Sequence, residues 1–185
     1  MTNKIKIPFI WSEYENFSGL DANIIYKRVE GNSNGANLAG LVNYIEGNSN
    51  GVNLAVVGNN IEGNSNGVNL AVVGNNIEGN SNGANFAIGG NDIGGDSKGV
   101  NLAGLVNYSK GVKDFLIQYA TLGNVIKEKN KDAFVLNIGL YNKIEDYFCP
   151  FVQVYGLKNL PKILKESFSK KKANGLEEKL EGEGK

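Results

Sequence analysis

The chain contains no histidine and only one cysteine among its 185 residues. Without histidine it lacks the usual general base near neutral pH and the commonest zinc ligand. A single cysteine, Cys149, can form neither an intrachain disulfide nor a cysteine cluster for a metal. The sequence also has no phosphate-binding loop of the GxxxxGK[ST] type. These absences predict a protein that is not an enzyme and that carries no cofactor.

Charge and long hydrophobic runs are also missing. Nineteen basic residues balance 19 acidic ones, so the chain lacks the positive charge that drives binding to phosphate backbones, and we expect no nucleic-acid partner. No apolar run reaches the roughly 18 residues of a membrane helix, so we expect no transmembrane helix. The first residues lack an apolar core and a small-residue cleavage site, so no signal peptide is visible. The compartment is left open.

The chain is rich in glycine, with 25 residues, and asparagine is more frequent still. The sixteen letters GNSNGVNLAVVGNNIE occupy 47–62 and recur without change at 63–78. A fixed period with degenerate copies at both ends is typical of a stacked array, because the end faces of the array are exposed to water. Related blocks occupy 31–46, 79–94 and 95–110, a degenerate block occupies 15–30, and looser copies lie at 117–124 and 136–142.

Within one block the hydrophobic period is two, which predicts a β-strand rather than a helix. Val52, Leu54 and Val56 share one face, which we expect to be buried, while Asn53 and Ala55 share the other. The predicted core therefore has one leucine or phenylalanine from each of five blocks and one isoleucine from four of them. Its members are Leu38, Leu54, Leu70, Phe86 and Leu102, with Ile45, Ile61, Ile77 and Ile93.

Two all-β architectures fit a sixteen-residue unit: a parallel β-solenoid with one coil per block, and an antiparallel meander or barrel with one strand per block. The recurring Asn-Gly pairs favour hairpins and thus the antiparallel alternative. Strict identity of two asparagine positions favours the solenoid, because amides stacked at strand spacing can form hydrogen-bonded ladders. The predicted ladder residues are Asn37, Asn53, Asn69, Asn85 and Asn101, and Asn43, Asn59, Asn75, Asn91 and Asn107.

The solenoid interpretation divides the chain into five segments. Residues 1–14 are expected to form an N-terminal cap strand, 15–142 the repeat array and 143–158 a closing strand. Residues 159–172 are expected to form a short capping helix, because Pro161 suits the first turn and Ile163, Leu164 and Phe168 would share a face. Residues 173–185 are expected to form a flexible charged tail.

Recurrent acids suggest a further alternative. Glu30, Glu46, Glu62 and Glu78 lie beside Asn-Ser-Asn segments, and calcium binds several oxygen ligands at once. Asp92 and Asp96 add carboxylates in one block. A weak calcium-binding array is therefore one alternative function. A ligand-binding or membrane-associated β-barrel is the other, and it depends on the antiparallel fold.

The units GVNLAGLVNY at 99–108 and VLNIGLYNKI at 135–144, with FLIQYATLGN between them, resemble a family of bacterial surface-repeat proteins. That family has tandem units of the type Gly-Val-(Gln/Asn)-apolar-Gly-Leu-apolar-Asn. The resemblance implies a cell-surface or envelope protein without catalytic residues. Together with the repeat pattern it predicts a structural, adhesive or surface-interaction role, with self-association or a surface or protein partner.

Overall fold

The computed structural model describes residues 4–6 and 10–157. Within these ranges all regular structure is β, and no α-helix is present. The sixteen strands are β1 Lys4–Lys6, β2 Trp11–Tyr14, β3 Phe17–Asn23, β4 Tyr26–Val29, β5 Ser33–Ala39, β6 Val42–Ile45, β7 Ser49–Ala55, β8 Gly58–Ile61, β9 Ser65–Ala71, β10 Gly74–Ile77, β11 Ser81–Ala87, β12 Gly90–Ala103, β13 Val106–Ala120, β14 Gly123–Ile126, β15 Phe134–Ile144 and β16 Tyr147–Tyr155.

Each regular coil has a long strand of seven residues and a short strand of four, such as β7 and β8. Long strands pair with long strands of the neighbouring coils, and short with short, always in parallel. In the regular coils every residue lies beside its counterpart sixteen positions away, as Asn53 lies beside Asn69. The chain is therefore a parallel β-solenoid of about eight coils, as predicted, and the antiparallel alternative is wrong.

Asn-Gly does not make hairpins in the repeat array, because the pairs at 34–35, 50–51, 66–67 and 82–83 each lie inside a long strand. The glycines of these four pairs have a positive φ, between 139° and 148°. A Cβ on Gly67 would overlap the carbonyl oxygen of Gly51 in the preceding coil. Glycine is therefore required at this position for a close approach of stacked backbones, and its recurrence reflects stacking rather than chain reversal.

The interior face of the long strands is the reverse of the predicted one. Asn53 and Ala55 point inward and are 1% and 2% exposed, whereas Val52 and Leu54 are each 43% exposed. The predicted core column is accordingly wrong: Leu54 is exposed, and its counterparts are only half-buried on the outer surface, namely Leu38, Leu70, Phe86 and Leu102. The physical reason is that asparagine can be buried when stacked amides satisfy each other.

The isoleucines of the short strands do form a core column. Ile45, Ile61, Ile77 and Ile93 are fully buried and pack with Val29 and Phe17. The next position in this column is Ser109, which pairs with Ile93 on one side and Ile126 on the other. A second apolar cluster begins beyond it, containing Val112, Leu116, Ile126, Ala133, Val135 and Ile144.

The final described strand ends the parallel stack. Strand β16 pairs antiparallel with β15, for example Ile138 with Val152, within the segment expected to close the array. At the other end, β1 and β2 continue the long and short strands in parallel, inside the expected cap segment. The expected capping helix at 159–172 and tail at 173–185 lie outside the described residues.

Candidate functional site

The first asparagine ladder runs through the interior beside the long strands. Each asparagine Nδ2 donates to the asparagine Oδ1 of the next coil. The distance is 2.6 Å from Asn37 to Asn53, and it does not exceed 2.7 Å in the later steps that end at Asn101. The second Nδ2 hydrogen of Asn53 goes to Ser49 Oγ at 2.8 Å. The ladder is present as predicted. Its side chains are at most 1% exposed, so it is a buried element, which was not predicted from the sequence.

The second ladder lies where the long strand turns into the short strand. Asn59 Nδ2 donates to Asn75 Oδ1 at 2.8 Å, and also to the carbonyl oxygens of Asn53 at 3.2 Å and Leu70 at 2.9 Å. One amide thus links two coils and satisfies the corner backbone. The series continues past the predicted residues through Asn124 to Asn142, although the spacing there grows to 17 and 18 residues.

An ion pair replaces both amides in the first full coil. Asp21 and Lys27 occupy the ladder positions before Asn37 and Asn43. Their side chains are fully buried, with Lys27 Nζ 3.2 Å from Asp21 Oδ2 and also 3.2 Å from the centre of the Phe17 ring. Burial lowers the pKa of Lys27 to about 8, and attraction to Asp21 opposes that shift.

Sequence reasoning missed this pair, although a signal was available. In the degenerate block 15–30, Asp21 and Lys27 stand at the same places as the two ladder asparagines of every later block. Asp21 Oδ2 also accepts hydrogen bonds from Ser12 Oγ at 2.8 Å and Asn23 Nδ2 at 3.0 Å. The pair therefore forms a charged, buried end to both ladders.

The acidic column lies on an outer corner and is held by protein side chains. Arg28 contacts Glu46 through Nε at 3.0 Å and Glu13 through Nη1 at 3.0 Å. The Tyr44 hydroxyl donates to Glu62, and this hydrogen bond raises the pKa of Tyr44 to about 12. Within the described residues, no group of three or more histidine, cysteine, aspartate or glutamate side chains is placed to hold a metal ion. The weak calcium-binding array stays a prediction.

The outward side chains of the long strands form an apolar surface, which we call the outer apolar face. It consists of strands β3, β5, β7, β9 and β11 and the long-strand parts of β12 and β13. Three columns run across the strands: a polar one containing Asn66, a middle one containing Val68 and a third containing Leu70. Along the solenoid axis, each column repeats once per coil.

A ridge borders this face where the long strands end. We call it the corner ridge; it contains Val56, Val72 and Ile88, which are 53%, 44% and 67% exposed. Between the ridge and the leucine column lies a groove of about 850 Å³. No charged side chain of the described residues lines this groove. An apolar surface of this extent is uncommon on a monomeric soluble protein and is typical of a contact surface.

The outer surface of the short strands is different. Gly58, Gly74 and Gly90 form the floor of a second hollow of about 560 Å³, beside the half-buried Asn60 and the exposed Asn76. Asn76 Nδ2 donates to Asn60 Oδ1 at 2.6 Å. Exposed valines also border this hollow, so the outer surface of the short strands mixes amides with apolar side chains.

Comparisons with protein-family models, curated proteins and solved structures found no match to this chain. The resemblance to bacterial surface-repeat proteins therefore remains a hypothesis carried by the repeat motifs alone. Within the described residues, no helix is long and apolar enough to cross a membrane.

Proposed function

We propose that this chain is a non-enzymatic repeat protein with a structural or adhesive role, and that it acts by contact through the outer apolar face. The observation that carries the proposal is the continuous, uncharged column of outward apolar side chains, exposed or half-buried, beside the corner ridge. Leaving such side chains in water forgoes about 25 cal/mol per Å² of apolar area. A surface that covers them would recover this free energy.

The interior supports a scaffolding role for the rest of the molecule. The ladder amides use their donors on one another, on Ser Oγ atoms and on backbone carbonyls, as Asn53 and Asn59 do. A buried network satisfied in this way holds one coil in fixed register with the next. The outward side chains are thereby presented on a regular lattice. The resemblance to surface-repeat proteins supports a location at the cell surface.

The test compares two double-lysine variants with the same charge in the same two coils. Leu54→Lys with Leu70→Lys changes the outer apolar face, and Asn60→Lys with Asn76→Lys changes the opposite outer surface. Adsorption from dilute solution onto an alkyl-coated surface is measured for both and for the unchanged protein. We expect the leucine variant to lose most of its adsorption and the asparagine variant to retain it. Equal losses in the two variants would contradict a contact role for this face.

A further inference from the structure

We infer that the outer apolar face is covered by the same face of a second copy of this chain, with strands parallel and solenoid axes antiparallel. This inference rests on the proposed function, since it names the partner of the same face. It draws on three features of the face: its area, its charge and the order of its columns.

The area matches what a stable dimer buries. Seven neighbouring long strands, from β3 to the last part of β13, contribute to the face. Strands of this length span about 23 Å, and seven of them at strand spacing span about 34 Å, which gives roughly 780 Å². A standard interface buries about 800 Å² on each partner. The face is therefore large enough to hold two copies together.

The charge pattern favours a second copy over a lipid surface. Binding to anionic lipid uses clustered lysine and arginine beside the apolar surface. Here the polar column consists of Ser18, Asn34, Asn50, Asn66 and Asn82, and its one charged member, Lys98, is paired with Asp114 at 2.8 Å. Because the charge of Lys98 is paired within the same chain, self-contact of the face meets little electrostatic opposition.

The order of the columns selects the orientation. A twofold axis parallel to the strands sets each column against itself, so the Asn66 column meets amides and the Leu70 column meets apolar side chains. A twofold axis parallel to the solenoid axis would set the asparagines against the corner ridge and bury amides without partners, which is unfavourable. The first arrangement also makes the solenoid axes antiparallel.

The ends of the face are complementary in size in this orientation. Strand β9 is the middle of the seven, so the axis passes near Leu70 and opposite ends of the face meet. Within these seven strands the column runs from Ala22, in register with Leu38, to Tyr119, in register with Leu102. Ile138 of β15 continues the column beyond Tyr119. The small Ala22 would therefore face the large, 47% exposed Tyr119 of the second copy. Leu38 would likewise face Leu102.

The first experiment measures the mass of the protein by light scattering over a range of concentrations. We expect a dimer for the unchanged protein and for Asn60→Lys with Asn76→Lys, and a folded monomer for Leu54→Lys with Leu70→Lys, with far-UV circular dichroism as the check of folding. An unchanged protein that is monomeric throughout would overturn the inference. If that monomer still adsorbs to the alkyl surface through the face, the proposed function survives, and binding to anionic vesicles would identify lipid as the occupant.

The second experiment tests the orientation with a short bis-maleimide cross-linker in a Cys149→Ser background. Leu70→Cys should cross-link to its own copy, whereas Asn76→Cys, on the opposite outer surface, should not. Leu38→Cys and Leu102→Cys should each fail alone but cross-link when mixed, because these positions meet only in antiparallel axes. Cross-linking of Leu38→Cys alone, with no gain on mixing, would refute the proposed orientation.

Discussion

Replacing Asn69 with alanine removes one rung of the first ladder and tests whether buried amides hold the coils together. Asn69 accepts a hydrogen bond from Asn53 at 2.6 Å and donates to Asn85 at 2.7 Å and to Ser65 Oγ at 2.8 Å. After truncation, Asn53 retains its bond to Ser49 Oγ, but its other Nδ2 hydrogen loses its acceptor. Asn85 Oδ1 and Ser65 Oγ each lose a donor. The side chain is 1% exposed, so bulk water does not directly replace it.

The magnitude follows from these three deprived groups. A buried polar group without its partner costs about 1–3 kcal/mol, so Asn69→Ala should lower the free energy of unfolding by at least about 3 kcal/mol. The matched control is Asn76→Ala in the same coil. The Asn76 amide also bonds to the previous coil, donating to Asn60 at 2.6 Å, but it is exposed and lies outside the outer apolar face. Because water can take over that bond, we expect a loss of about 0.5 kcal/mol.

The assay is urea unfolding followed by far-UV circular dichroism, with the slope compared between variants so that a change in cooperativity is detected. Both variants differ from the parent by the same atoms in the same coil, so propensity effects are similar. If Asn69→Ala and Asn76→Ala destabilise the protein to within about 1 kcal/mol of each other, the buried ladder is not a principal source of stability.

Two further predictions concern the first full coil and the glycine column. Because native Lys27 has a pKa of about 8 and an unfolded lysine about 10.4, the unfolded state binds more protons between these values, and stability should rise by about 2 kcal/mol from pH 7 to 9.5. Urea unfolding midpoints at pH 7 and 9.5 should show this rise in the parent, and a variant carrying Asp21→Asn with Lys27→Asn should lack it. An equal change of stability with pH in the parent and in the variant would contradict a buried, charged Lys27. Gly67→Ala places a Cβ against the Gly51 carbonyl at a positive φ, so we expect a loss of at least about 2 kcal/mol in the same urea assay. Gly74→Ala is the control for this variant. At Gly74 φ is not positive, and valines occupy the equivalent position in other coils, at Val42 and Val106. A loss as large as that of Gly67→Ala would refute the steric argument.

The architecture was predictable because the repeat constrains it at every position. Two identical blocks at 47–62 and 63–78 can place Asn53 on Asn69 and Asn59 on Asn75 only if neighbouring coils run parallel. The identical positions of asparagine in successive blocks therefore predicted both the parallel direction of the strands and the ladders. The extension of the second ladder to Asn124 and Asn142 was less visible, since the coils there lengthen by one and two residues.

The inward face was not predictable from alternation alone. A period of two assigns Val52 and Leu54 to one face and Asn53 and Ala55 to the other, but it does not say which face is inside. Hydrophobicity favours burying Leu54, yet the stacked structure buries Asn53, because sixteen-residue spacing brings an identical amide within 2.6 Å on either side. Because Asn53 is buried, Leu54 lies outward, and the outer apolar face results.

The sequence by itself determined the period, the parallel stacking and the column positions of this protein, because these depend only on residue identity repeating along the chain. Tertiary structure decided which column is buried and what ends the ladders. Asp21 and Lys27 form an ion pair only because the corner of the first full coil brings their side chains to 3.2 Å inside the solenoid. Burial and partners are properties of the stacked coils, and a single repeat taken alone has neither.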